Sequence, residues 1–181
     1  MNAVLRSALA AVLALVVAGA AQAQASTKPV TFVVPFSAGG QADVIGRQVA
    51  AALQKALQQT TVVQNIAGAG GAIAARRVLD APADGHTVFE ASPSQLILAG
   101  LVNRDIKFKS EDFRAIHMIG TSPYAIMVRS DLPARNADEL AALARDEAKK
   151  GKPLTYASVG VGTLNHLLGE ELSRRIDTPM V

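Results

Sequence analysis

From Val30 to Arg175 the chain alternates between short apolar, β-rich runs and longer stretches with helical spacing. Val30 to Val34 predicts a buried strand, and Ala42 to about Gln58 predicts a helix with Ile45, Val49, Leu53 and Leu57 along one side. Thr60 to Gln64 is a β-branched strand, followed by a Gly68–Gly71 turn and a second helix to about Leu79. Turn chemistry over Ala81–His86 leads into a third strand, Thr87 to Ala91, and a helix from about Ser94 to Val102. This βαβαβ order implies a parallel sheet with helices on both faces and ligands at the strand C-terminal ends.

Two further strands are expected at Phe113–Gly120 and Tyr124–Val128. Asn136 is placed to cap the next helix, with Glu139 completing a capping-box variant and Lys149-Lys150-Gly151 ending it. Thr155–Ser158 is expected as a strand, running through "SVGVGT" into a helix from Leu164 to about Arg175. Ile176–Val181 has the look of an approach to another strand, which suggests a truncated chain.

The first 25 residues differ from the rest in kind: Arg6 is the only charge, Ala8–Ala18 is unbroken apolar sequence, and two overlapping A-x-A sites follow. This is the layout of a secretory signal peptide cleaved near Ala23 or Ala25. The 181-residue chain contains no cysteine, which excludes a lipid-anchored N-terminal Cys, a thiolate metal site and a Cys nucleophile. The mature protein is therefore expected free in the periplasm, not as a lipoprotein, and folded without disulfides. The net charge of +3 is spread over single and paired basic residues without interleaved aromatics, which gives a nucleic-acid surface little support.

The glycine-rich stretches carry the candidate chemistry. No Gly-Lys-Ser or Gly-Lys-Thr is present, so there is no Walker loop. Gly68-Ala69-Gly70 begins like a dinucleotide fingerprint, but Ile73 stands where a small residue must be. What remains are small, flexible loops ahead of helices, whose backbone N–H groups and dipoles favour a carboxylate or other anion. Ser37, Gly39 and Gly40 form one such loop, and Ser158, Gly160, Gly162 and Thr163 form another. Asp43, in the first helical turn, is read first as a helix-start stabiliser and second as a ligand contact. His86 reads as a surface turn residue and His117 as a strand residue, whereas His166 lines a polar pocket. No nucleophile–base–orienter arrangement, G-x-S-x-G elbow or helical pair of histidines is present, so the reading is of no enzyme, no metal and no cofactor.

Three segments together resemble the Bug family, the solute-binding receptors of tripartite tricarboxylate transporters. They are "PVTFVVPFSAGGQADVIGR", "VVQNIAGAGGAIAA" with "APADGHTVF", and "LTYASVGVGTLNHLLGEEL". The resemblance implies an α/β, two-lobed, periplasmic-binding-protein type II architecture closing on a small carboxylate. It divides the chain into a signal peptide (1–25), a first lobe (26–122) and a partial second lobe (123–181). It also implies a site built from Phe36, Ser37, Ala38, Gly39, Gly40 and Asp43 on one side. Ser158, Gly160, Gly162, Thr163 and His166 face them, with Ser92 and Ser94 bordering the pocket. The implied partners are a carboxylate ligand and a membrane permease, with a monomeric receptor serving uptake or sensing. Ile66-Ala67 stand where the family has Arg-Pro, His86 replaces an aromatic, and "EASPSQLILAG" is atypical for the third-strand loop. The likeness spans only a little over half of a usual member, so a non-functional receptor fragment is the alternative, with an exported nucleotide-binding enzyme a distant third.

Overall fold

The computed structural model describes residues 28–181; the expected signal peptide and its cleavage sites lie outside the described residues. Three strands, β1 (Val30–Val34), β2 (Thr61–Asn65) and β3 (Thr87–Phe89), form a parallel sheet in the order β2-β1-β3. β1 is central, with Val30 opposite Thr61 and Thr31 opposite Thr87. Its Phe32, Val33 and Val34 are all buried, as a central parallel strand covered on both faces requires.

Each face of the sheet has its own packing. Helix α1 (Gln41–Leu57) crosses from β1 to β2 and lays Ala42, Val49, Ala50 and Leu53 over Phe32, Val34, Val63 and Val88. Helix α2 (Ala72–Leu79) joins β2 to β3, and its Ala72, Ala75 and Leu79 share a second cluster with Phe89, Ala99, Phe108 and Phe113. Alanines dominate the α2 side of this contact. Phe113 closes this cluster against Phe89 and Phe108, with ring centroids 5.8 and 5.9 Å apart.

After β3 the chain enters a wide π-turn, Ser94–Leu98, that tightens into the short helix α3 (Ala99–Val102). The expected helix over Ser94–Val102 is thus present but begins under-wound. Helix α4 (Ala137–Lys149) starts at Asn136, whose Oδ1 accepts from the Glu139 amide at 2.9 Å. Glu139 returns the contact by accepting from the Asn136 side chain and the Arg135 amide. Helix α5 (Leu164–Arg175) follows the second Gly-rich loop.

Three expected strands need correction. Phe113–Gly120 and Tyr124–Val128 have no strand structure, and beyond Phe113 their side chains are exposed, Ile116 at 81% and Met127 at 89%. An apolar alternation fixes an extended backbone, but a strand also needs a neighbour to hydrogen-bond, and none lies beside this segment among the described residues. Thr155–Ser158 is likewise no strand. It forms a single parallel bridge, in which Val181 N donates to Leu154 O and Tyr156 N donates to Val181 O at 2.9 and 2.7 Å. Of the Ile176–Val181 tail only Val181 pairs with this segment, while Ile176, Asp177 and Thr178 turn back onto the end of the preceding helix. β3 stops at Phe89, two residues short of the expected Ala91. His86, expected at the surface, is half-buried beside Asp84.

Candidate functional site

Parallel strands place their C-terminal ends, and the loops that leave them, on one edge of the sheet. Three loops converge there: Pro35–Gly40 after β1, Ile66–Gly71 after β2 and Glu90–Pro93 after β3. In the first, Phe36 is half-buried while Ser37, Ala38, Gly39 and Gly40 are exposed. Gly39 has a φ of +86°, open to glycine at no steric cost, and Gly40 is the N-cap of α1 without any side-chain cap. The loop thus presents uncapped amides at the start of a 17-residue helix.

Asp43 holds this loop from below. It is 4% exposed, and its Oδ2 accepts from the Gly39 amide at 2.9 Å and from Arg47 Nε at 3.0 Å. The Arg47 hydrogen bond, followed by that of Gly39, lowers the Asp43 pKa to about 2. Arg47 continues to Asn65 Oδ1 at 3.4 Å, and Asn65 Nδ2 donates to Phe36 O at 3.1 Å. Asp43, Arg47 and Asn65 therefore brace both ends of the loop. Sequence reasoning assigns Arg47 and Asn65 no role. Asn65 carries a signal, a polar amide closing a β-branched strand, whereas Arg47 has none beyond its i, i+4 spacing from Asp43.

The second and third loops are tied by Gln95, which is fully buried. Its Oε1 accepts from Ser92 N and Ser92 Oγ at 2.9 and 2.8 Å, and its Nε2 donates to Gly70 O at 2.9 Å. Ser92 is thus committed to this lock. Gly71, at φ +94°, leaves the room for it, since a Cβ there would stand 2.5 Å from Gln95 Cγ.

The later Gly-rich loop docks on this edge. Gly70 lies against Val161 O and the Thr163 methyl, and Gly162 lies against Val102. Ser94 is buried, and its Oγ accepts from Leu164 N at 3.1 Å, so it caps the first turn of α5 from another part of the chain. Thr163 is buried too, its hydroxyl donating to Gly160 O at 2.6 Å. Ser158 stays exposed and accepts from Gly160 N at 3.3 Å. His166 Nδ1 accepts from Gly162 N at 3.4 Å while its ring stacks on Tyr156, 6.4 Å between centroids. Tyr156 OH donates to Glu170 at 2.7 Å, which raises the tyrosine pKa, and Glu170 also lies 3.8 Å from His166 Nε2.

The structure thus brings Ser94 to the Gly160–Thr163 loop and gathers Phe36–Gly40 around Asp43. The two groups share the same edge of the sheet but make no hydrogen bond to each other among the described residues. No cluster of His, Cys, Asp or Glu suited to a metal ion occurs among the described residues, nor any helix long and apolar enough to cross a membrane.

Residues 45–180 match the model of the tripartite tricarboxylate transporter family receptor. A UPF0065 protein of Bordetella pertussis is 34% identical over 160 residues, covering 87% of this chain and 48% of the relative. Protein BugT of the same organism is 35% identical over 145 residues, 79% of this chain and 44% of BugT. Among solved structures, MatC of Rhodopseudomonas palustris with bound malate aligns at a TM-score of 0.69 and 26% identity, over 86% of this chain and 53% of MatC. Rpa4515 of R. palustris with adipate aligns at 0.64 and 26%, over 86% and 52% of the two chains. The chain spans about half the length of the curated relatives it matches.

Proposed function

We propose, from the premise that this chain belongs to the tripartite tricarboxylate transporter receptor family, that it serves as a periplasmic receptor for a small organic acid. The family is one of solute-binding receptors, with an α/β, periplasmic-binding-protein fold and no catalytic residues to assign. Finer points belong to the proposal. The ligand is a carboxylate, held by the amides and hydroxyl of Phe36–Gly40 on the first lobe (26–122). The Ser158–Thr163 loop and His166 approach it from the second lobe (123–181). The receptor is a monomer, delivered to the periplasm by its N-terminal segment, and it hands its ligand to a membrane permease of the tripartite type.

The observation that carries this reading is the Phe36–Gly40 loop. It is exposed from Ser37 to Gly40, braced by Asp43 and Asn65, and it sits at an uncapped helix start where a carboxylate gains both amide hydrogen bonds and a favourable dipole. The relatives solved with malate and adipate support the ligand class. Asp43 itself is engaged by Gly39 and Arg47, which favours its bracing role over direct ligand contact.

A Gly40→Asp variant tests the loop. Gly40 has an extended backbone, φ −81° and ψ 173°, and a Cβ there meets nothing closer than Ser37 O at 3.7 Å. Asp is moreover a preferred N-cap, so the fold is kept or stabilised while a negative charge enters the cradle. The expected result is a dicarboxylate that raises the melting temperature of the parent chain but not of the variant. Equal stabilisation of both would refute the assignment.

A further inference from the structure

Two carboxylate oxygens are buried at the sheet edge without a hydrogen bond: Asp43 Oδ1 and Glu90 Oε2. Arg47 stands 3.0 Å from Asp43 Oδ1 as an ion partner, yet its hydrogen bond goes to Oδ2. Glu90 leaves the end of β3 with its amide bonded to Val33 O. Its side chain turns over Gly46, where a Cβ would stand 2.7 Å from Glu90 Oε2 and 2.7 Å from Val34 Cγ2. Gly46 and Asp43 are three residues apart on α1, so they are neighbours on one helix face. The glycine makes the space that lets the Glu90 carboxyl lie one turn from Asp43.

We propose that Glu90 is a positioning residue for the anion cradle, carrying a proton on its carboxyl and donating it in a hydrogen bond to Asp43 Oδ1. That bond gives both oxygens the hydrogen bond they lack and fixes the carboxylate that holds the Gly39 amide. The inference rests on the reading of Phe36–Gly40 as the carboxylate cradle. The surroundings favour the neutral acid. β1 brings Phe32 and Val34 to this space, and α1 presents Gly46, the Asp43 charge and the Arg47 that Asp43 engages. Burial first, and the Asp43 charge second, push the Glu90 pKa up to about 7. Once ionised, Glu90 repels Asp43 and adds negative charge beneath a loop that receives an anion. Ligand capture is therefore coupled to proton uptake, and affinity falls as the pH rises through neutrality.

The test has a ligand-free arm and a ligand arm, both on the full chain. In the first, glutamate side-chain carboxyl carbons are labelled and titrated by NMR in the parent, E90Q and D43N. One resonance, missing from E90Q, is expected to titrate near pH 7 and to move to lower pH in D43N. Ordinary midpoints for every glutamate, or no movement in D43N, would overturn the proposal. In the second arm, malate binding is measured by calorimetry at pH 6.0 and 8.5. If only the protonated form binds, the parent weakens about 30-fold at the higher pH, since about 3% of Glu90 then holds its proton. E90Q keeps the donor and every histidine, and it is expected to bind at both pH values without that loss. Parallel pH profiles for parent and E90Q would overturn the coupling. Silence towards malate in both chains would count against the ligand reading alone, and the NMR arm would still decide the state of Glu90.

Discussion

Gln95 organises more of the sheet edge than any charged residue, because a single buried carboxamide satisfies two loops at once. Truncating it to Ala would strand Ser92 N and Gly70 O and open a cavity. We expect a loss of about 2–4 kcal/mol, read by urea unfolding. Gly71→Ala attacks the same lock from the other side, through a positive φ and a clash with Gln95, and should cost about 2 kcal/mol or more. Buried Asp43 and half-buried Glu90 impose opposite pH dependences. Asp43 is lowered from 3.8 to about 2, so its stabilisation is present above pH 3.8 and lost as the pH falls towards 2. Glu90 is raised from 4.5 to about 7, so its contribution is present below pH 4.5 and lost as the pH climbs through 7. Melting temperatures of E90Q should therefore lack the decline between pH 4.5 and 7 while keeping the acid limb. Asp43 was legible from sequence as a helix-start residue, because first-turn acids obey a local rule. Gln95 and Glu90 were not, since their roles depend on what two separate glycines leave open beside them.

At the scale of elements, local signals served well where the partner is also local. α1 was visible in its apolar spacing, and the Asn136–Glu139 capping pair was visible as letters three apart. Asn136→Ala removes that cap, and we expect about 1 kcal/mol lost from α4, seen as a lower urea midpoint. The strands divide differently. β1 was legible because a central parallel strand is apolar throughout. The 113–128 segment misled because alternation records an extended backbone and says nothing of who stands alongside. Amide exchange separates the two cases. Protection should be greatest in β1 and α1 and nearly absent over residues 114–128, where no backbone amide is bonded among the described residues. Strong protection in that segment would contradict its unpaired backbone.

Across the whole molecule, the first sheet and the later Gly-rich loop meet through a small set of contacts. Gly70 receives Thr163, Val102 receives Gly162, and Ser94 caps Leu164 across 70 residues of sequence. The glycine motifs announced these loops, and the family resemblance implies that they belong to one site. Neither indicated that Ser94 would spend its hydroxyl on a distant helix rather than on a ligand. Consider what keeps that hydrogen bond made. A lone bond of this kind is worth about 1 kcal/mol net, too little to hold two free partners together at ordinary concentrations. The exposed stretch over residues 114–131 alters the arithmetic, because it ties the part of the chain that carries α5 to the part that carries Ser94. A covalent tether of that sort raises the effective concentration of one partner at the other, so that weak contacts become populated without becoming strong. The clasp can then open and reclose readily. A single proteolytic cut within residues 114–128 would leave every contact chemically intact and still allow the two pieces to drift apart on dilution.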